Sequence, residues 1–245
     1  MPKKSLKSKK NDYSIIIITK NQKAFLQKSL PAILSQTIKN LEIIIVDSGS
    51  TDGALEFAKK YPVKIINYHS PVFNFAKAFN LGAQKAKGQY LVRLSGDAVP
   101  ANKHWLKELG KDTEKPKVAG AFSRYVFSAK NHLLHQFWFR EWPLVRKVPF
   151  SVGGASFLIK KSLWKKCPFN EKWGPGEDWE WAEVVRKAGY KILYKRMSLV
   201  YHEHQAPLLK QILDFLYWLF ISIPSGFFKY NQVRIRIQKL NEYYQ

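Results

Sequence analysis

The chain has 245 residues, 46% of them apolar, and its 41 basic against 18 acidic side chains give a formal charge of +23. That length suits one α/β domain with a C-terminal appendage and speaks against two full-size domains, while the apolar share suffices for a sizeable core. The charge points to a polyanionic partner (nucleic acid, an anionic membrane or phosphorylated substrates), and the single Cys167 excludes an intramolecular disulfide framework, as in a reducing compartment.

Residues 1–10 carry five lysines and are followed by a strand rather than a signal-type apolar segment. They read as a solvated tail and not as a signal peptide. The expected organisation is a basic disordered tail over 1–12, an α/β domain over 13–206, and an apolar, then basic, helical extension over 207–245. Tyr13–Thr19 is a first strand, followed by a helix from about Lys23 that Pro31 breaks or kinks. A second strand covers 41–46, and its run Ile43-Ile44-Ile45-Val46 suits a strand covered on both faces, as in parallel sheets. Residues 53–60 form a short helix with Asp52 or Thr51 placed to cap it. A third strand covers 63–68. Residues 74–87 carry Phe75, Ala78, Phe79, Ala83 and Ala86 at helical spacing, with Gly88 where a helix-ending glycine belongs. A fourth strand over 90–94 leads into Ser95-Gly96-Asp97 and a turn before Pro100. Strand alternating with helix predicts a mostly parallel sheet with helices on both faces.

The second half is less regular. Residues 117–127 read as a strand, and 133–142 are aromatic-rich without a clear assignment. Residues 152–159 form a small-residue strand opening on Gly153-Gly154, where backbone can approach a ligand closely. Gly176-Glu177-Asp178 opens a helix that runs to Gly189. Short strands at 191–194 and 199–201 precede His202-Glu203-His204. There is no G-x-G-x-x-G or Walker-type lysine loop, so neither a dinucleotide site nor a P-loop is supported.

Acidic and histidine residues recur at the ends of these elements. Asp47 closes a buried strand at the carboxyl edge of the sheet, where open α/β folds bind ligands. It either caps a turn or accepts hydrogen bonds from a base N–H or a ribose hydroxyl, as from the uridine-like end of a nucleotide. Asp97 either begins a turn or belongs to a site. Glu177 and Asp178 complement a helix dipole or line a cleft, and His202 and His204 share one face of a strand. Glycosyl transfer from a nucleotide sugar needs such a set. One acid binds the nucleoside, another holds a divalent cation at the diphosphate, and a carboxylate deprotonates the acceptor hydroxyl. Mg²⁺ or Mn²⁺ takes oxygen ligands and neutralises the leaving diphosphate, and a histidine can complete the coordination of Mn²⁺.

Residues 13–204 resemble the family-2 glycosyltransferases, the inverting group with a GT-A fold typified by bacterial polysaccharide synthases. The resemblance rests on Ser14-Ile15-Ile16-Ile17-Ile18-Thr19-Lys20-Asn21, on Gln36 through Asp52-Gly53, and on Phe79-Asn80-Leu81-Gly82 before Ala86-Lys87-Gly88. It continues through Ser95-Gly96-Asp97, Gly153-Gly154-Ala155 and Gly176-Glu177-Asp178-Trp179-Glu180. In this order and spacing the set is specific. The resemblance implies an α/β, GT-A-like fold and a hexosyl- or deoxyhexosyltransferase using a nucleotide-sugar donor and a glycan or lipid-linked acceptor. Thr19, Asn21, Ser95 and Gly96 would line the nucleotide pocket, with Asp47 on the base or ribose. Asp97 would match the last acid of the family's Asp-x-Asp metal motif, with His202 or His204 beside it on Mn²⁺ or Mg²⁺. Asp178 would be the catalytic base, with Glu177 as the runner-up. The chain departs from the motif in placing Ser95 at its first acidic position, which weakens metal binding. Similar Ser-x-Asp forms occur among relatives that transfer deoxysugars such as rhamnose.

In the extension, the uncharged run 215–228 has 14 residues, short of the roughly 20 needed to span a bilayer. An interfacial helix followed by the basic segment 229–239 fits better, placing the protein in the cytoplasm on the inner face of the membrane. The alternative is a helix that packs on the domain or forms a homodimer. Two rival functions are weighed against glycosyl transfer. A sugar-nucleotide nucleotidyltransferase would carry a glycine-rich phosphate loop, which Thr19-Lys20-Asn21-Gln22-Lys23 lacks. A nucleic-acid-binding protein would explain the charge, but no recognition helix or RNP-like strand is evident.

Overall fold

The computed structural model describes residues 12–126, 154–174 and 176–202. The expected N-terminal tail up to residue 11, the aromatic stretch 133–142, Gly153, His204 and the extension 207–245 lie outside the described residues. Within them the strands are β1 (Tyr13–Thr19), β2 (Leu41–Asp47), β3 (Val63–Asn67), β4 (Tyr90–Ser95), β5 (Ala98–Pro100), β6 (Val118–Val126), β7 (Ser156–Lys160) and β8 (Lys191–His202). The helices are α1 (Lys23–Leu34), α2 (Ala54–Ala58), α3 (Phe75–Lys85), α4 (Trp105–Gly110), α5 (Lys161–Lys166) and α6 (Glu177–Lys187). The strands join into one sheet in the order β3-β2-β1-β4-β7-β6-β8-β5. β3, β2, β1 and β4 run parallel, whereas β7 is antiparallel to both β4 and β6, and β5 is antiparallel to β8.

The isoleucine run of β1 explains why the sheet lies between two helical layers. Successive strand residues point to opposite faces. Ile16 and Ile18 enter the core shared with Phe79 and Ala83 of α3 and Trp181 and Val185 of α6. Ile15 and Ile17 enter the opposite core, with Leu26, Leu30 and Ile33 of α1 and Trp105 and Leu106 of α4. Each fully buried isoleucine contributes about 1.5–3 kcal/mol relative to exposure. A strand with a polar face could not have been covered on both sides.

Several expectations needed correction. Pro31 does not break α1, which continues to Leu34, and the Ser35 N–H donates to the Pro31 carbonyl at 3.0 Å. The proline is on the exposed side of the helix, where the carbonyl deprived of its partner is open to water. Gly88 does not close α3 in a left-handed turn; the cap residue is Ala86, in extended conformation. Gly88 instead donates its N–H to Ser14 Oγ at 2.8 Å, and a Cβ there would lie 2.7 Å from the Ser14 backbone nitrogen. Its absent side chain lets the start of β4 close on β1. The strand expected from residue 152 begins at Ser156 among the described residues. The two short strands foreseen near the end of the domain are one, β8, whose pairing with β6 jumps from Ser123↔Lys195 to Arg124↔Leu199. Arg196, Met197 and Ser198 form an irregularity that interrupts the alternation without ending the strand.

A buried polar knot ties α5 and the segment that follows it to α3. Asn80, on α3, donates from Nδ2 to the Phe169 carbonyl (2.9 Å) and to Glu171 Oε1 (3.0 Å). Its Oδ1 accepts from Trp164 Nε1 (2.9 Å) and the Phe169 N–H (3.2 Å). The amide is thereby fully used. Asn80→Leu would strand two buried donors, each costing about 1–3 kcal/mol. Urea unfolding should register a loss of about 2–6 kcal/mol, whereas an unchanged midpoint would deny the knot its role.

Candidate active site

The carboxyl ends of β1, β2 and β4 lie side by side, since Thr19 pairs with Asp47 and Ile18 with Ser95. The loops leaving β1 and β2 are clasped together. Ser48 N–H donates to the Thr19 carbonyl (3.0 Å), Asn21 N–H to Ser50 Oγ (2.8 Å), and Thr51 N–H to Asn21 Oδ1 (2.7 Å). Asn21 adopts φ +53°, a left-handed conformation that asparagine tolerates better than most residues. Below it the buried Thr19 hydroxyl donates to Gln22 Oε1 at 3.1 Å.

Asp47 is 3% exposed, and its carboxylate is largely occupied by its own turn. Oδ2 accepts the N–H groups of Gly49 and Ser50, both at 2.9 Å, and Oδ1 accepts the Ser50 hydroxyl at 2.5 Å. A carboxylate offers about four acceptor positions, so about one remains for a ligand. Asp52 does not cap α2 through the helix's own cap position, which is Gly53. Its Oδ1 accepts from Ala54 N–H (3.0 Å) and its Oδ2 from Lys23 N–H (2.8 Å), tying the starts of α2 and α1.

The β4 end is as closely built. Gly96 donates its N–H to the Ile18 carbonyl at 3.0 Å, and a Cβ there would fall 1.8 Å from Gln22 Oε1. Only glycine fits. Ser95 Oγ donates to Asp97 Oδ1 at 2.5 Å, and His202 Nε2 lies 3.2 Å from the same oxygen. This juxtaposition comes from β5, in which Ala98 pairs with His202 of β8. Asp97 therefore sits not in a free turn but at the mouth of a three-residue strand.

Glu177 and Asp178 begin α6, behind Gly176 at φ +85°. Their environments differ. Glu177 is 3% exposed and meets Arg93 Nη1 at 2.6 Å. Asp178 is partly exposed, and a Cβ on Gly154 would lie 3.5 Å from its Oδ2. Burial first and the negative charge of Glu177 second push the Asp178 carboxyl up to about 6, against the pull of Arg93 and of the backbone N–H groups of Asp178 and Trp179. Tyr125, which sequence reasoning missed, connects the two acidic regions. Its hydroxyl accepts the Ala155 N–H at 3.1 Å, its ring lies 5.6 Å from that of His202, and burial pushes its phenol up so that it stays protonated. Thr19, Asn21, Asp47, Ser95, Gly96, Asp97, Glu177, Asp178 and His202 thus share one edge of the sheet.

The profile of glycosyl transferase family 2 matches residues 14–167, more than half of the chain. The chain belongs to glycosyl transferase family 2. This family 2 enzyme is a glycosyltransferase dependent on a nucleotide sugar, which favours that reading over the nucleotidyltransferase and nucleic-acid alternatives. An uncharacterized glycosyltransferase of Rickettsia typhi is 29% identical over 227 residues, covering 84% of this chain and 67% of the relative. A Pyrobaculum calidifontis mannosyltransferase solved with GDP-mannose and Mn²⁺ has TM-score 0.64 at 18% identity, covering 88% of this chain and 72% of that one. Glucosyl-3-phosphoglycerate synthase of Mycobacterium tuberculosis, solved with Mn²⁺, UDP and phosphoglyceric acid, has TM-score 0.64 at 15% identity, over 88% and 78%. These likenesses establish the GT-A-like fold of the family 2 domain.

Proposed function

We propose that the protein transfers a hexosyl or deoxyhexosyl group, with inversion, from a nucleotide-diphosphate sugar to a hydroxyl of a glycan or lipid-linked acceptor in polysaccharide biosynthesis. The observation that carries this reading is Asp178, a carboxylate with a raised proton affinity that faces Gly154 and lies near Tyr125. A base must lose its proton near working pH and still want one back. Glu177, tied to Arg93, is the poorer candidate. Thr19, Asn21, Ser95 and Gly96 would wall the nucleotide, and the remaining acceptor position of Asp47 would take a base N–H or ribose hydroxyl.

Among the described residues no three of His, Cys, Asp and Glu gather as a metal cage. Asp97 and His202, with an oxygen and a nitrogen 3.2 Å apart, are nevertheless close enough to bind one ion together, and a carboxylate with an imidazole suits Mn²⁺. Diphosphate oxygens would supply further ligands. A cation held there would neutralise the departing diphosphate.

The stereochemistry tests the reading. Proton NMR of the first-formed product, with UDP-glucose, GDP-mannose and dTDP-rhamnose offered as donors, should record inversion at the anomeric carbon. Retention would discard single displacement.

Among the described residues no helix is long and apolar enough to cross a membrane. We infer that residues 208–245 bind an anionic membrane surface, from an apolar stripe that includes Leu209, Ile212, Leu213 and Leu216, followed by Arg234, Arg236 and Lys239. Each basic residue contributes about 1 kcal/mol near anionic lipid. The protein should sediment with phosphatidylglycerol-rich vesicles at low salt and be partly released at high salt. Equal binding to neutral vesicles, or none to either, would instead favour a tail that packs on the domain or pairs two copies.

A further inference from the structure

Arg93 is a basic residue where strand packing calls for an apolar one. It lies mid-strand in β4, at the centre of the sheet, with Ile16 of β1 on one side and Phe157 of β7 on the other. It is 5% exposed. Its guanidinium carbon is 5.0 Å from the Phe75 ring centroid and 5.8 Å from that of Phe157, and Nη1 meets Glu177 Oε1 at 2.6 Å. Nε is buried without a hydrogen-bond partner. Removing two charges from water costs several kcal/mol each, and such pairs are often no more stabilising than apolar residues of similar size. An incompletely satisfied guanidinium makes that balance worse. Stability is a poor reason for this pair, and its position suggests another. It ties the first residue of α6 to the strand that ends in Ser95 and leads directly to Asp97.

We propose that Arg93 is a positioning residue for the transfer reaction, holding Glu177 in an ion pair so that Asp178 alone is presented to the acceptor hydroxyl. The inference rests on Asp178 being the base. Two aromatic rings fix the plane of the guanidinium, and the guanidinium in turn fixes Glu177. The α6 backbone carries the constraint one residue on, to Asp178 against Gly154. Among the described residues, the charged and titratable groups facing Asp178 are Glu177 on its own helix, Arg93 from β4 and Tyr125 from β6. Of these only Arg93 favours the ionised base. Without it, Glu177 would keep its repulsion and become free to compete for the acceptor proton.

The test compares wild type with R93Q, R93K and the double variant R93Q/E177Q, using the ¹³C titration of the Asp178 carboxyl assigned through D178N. The pH dependence of donor turnover is measured alongside, on whichever of UDP-glucose, GDP-mannose and dTDP-rhamnose turns over fastest. In R93Q the Asp178 titration and the acid limb of turnover should move up together by about one pH unit or more. R93K, which keeps the charge but loses the planar fork, should recover part of the shift. R93Q/E177Q, lacking both cation and anion, should return the limb towards wild type. UDP and GDP binding should be unchanged throughout. If R93Q only lowers thermal stability, or reduces turnover equally at every pH with the limb in place, Arg93 is structural and the inference falls. Should R93Q not fold, an R93K limb that coincides with wild type, together with an R93Q/E177Q limb that does not return to it, overturns the inference equally. A D178N variant with wild-type turnover would instead remove the base assignment, a different failure recognisable without any Arg93 variant.

Discussion

Asp178→Asn should lower transfer to the acceptor by about 10²–10⁴-fold, the usual worth of a positioned general base, while leaving nucleotide affinity nearly intact. The pH dependence follows from the same carboxyl. Its proton is lost at about 6, so the wild-type rate should climb as pH rises through that value and level off above it. In D178N the residual rate should lack this limb. Stability should respond in the opposite direction. A carboxyl that holds its proton more tightly folded than unfolded stabilises the fold at low pH and loses that contribution as pH rises through the folded value. D178N should therefore gain melting temperature relative to wild type at pH 7 and little or none near pH 4. Glu177 provides the control: if Glu177→Gln abolishes transfer while D178N does not, the wrong neighbour has been assigned.

Asp97→Asn should sharply reduce donor turnover and raise the Mn²⁺ or Mg²⁺ needed for half-maximal rate. Loss of a residue that merely supports a metal ligand usually costs 10–100-fold in affinity, so loss of the carboxylate itself should cost about 10²-fold or more. The single acid makes the dependence steep, because Ser95 can donate to Asp97 but brings no negative charge of its own. Ser95→Asp should accordingly lower the cation concentration required. Metal titrations of turnover measure both variants. An Asp97→Asn enzyme as active as wild type, or a wild type fully active in excess chelator, would remove the cation from the mechanism.

The first half of the domain was legible because strands covered on both faces cannot alternate, and the runs in β1 and β2 therefore announced themselves. The acids at their ends followed from chain direction alone. β5 was not legible, since three residues carry no periodicity, and with it went the reason for Asp97 to meet His202. β8 read as two strands because Lys195 and Arg196 interrupt its apolar pattern where the pairing jumps. Tyr125 gave no signal either; its meaning depends on β6 lying between β7 and β8, a neighbourhood no local window contains. Arg93 was hidden differently. A charged residue inside a strand resembles an outward-facing position, and only the buried partner on a helix 84 residues later reveals it.

β5 follows β4 after only Gly96 and Asp97, yet β7, β6 and β8 stand between them in the order of the sheet. Four strand-to-strand steps at about 4.8 Å would separate the two by ~19 Å if the sheet were flat. The stretch from Ser95 to Ala98 can reach no more than ~11 Å. The far strands must therefore roll back over the end of β4, and Asp97 lies on the seam where the curl returns to its origin. Arg196, Met197 and Ser198 supply the slack that allows β8 to turn that corner. A family 2 site made this way needs no separate lid to bring an imidazole to its acid, because the closure is already woven into the hydrogen-bonded surface that carries the rest of the fold.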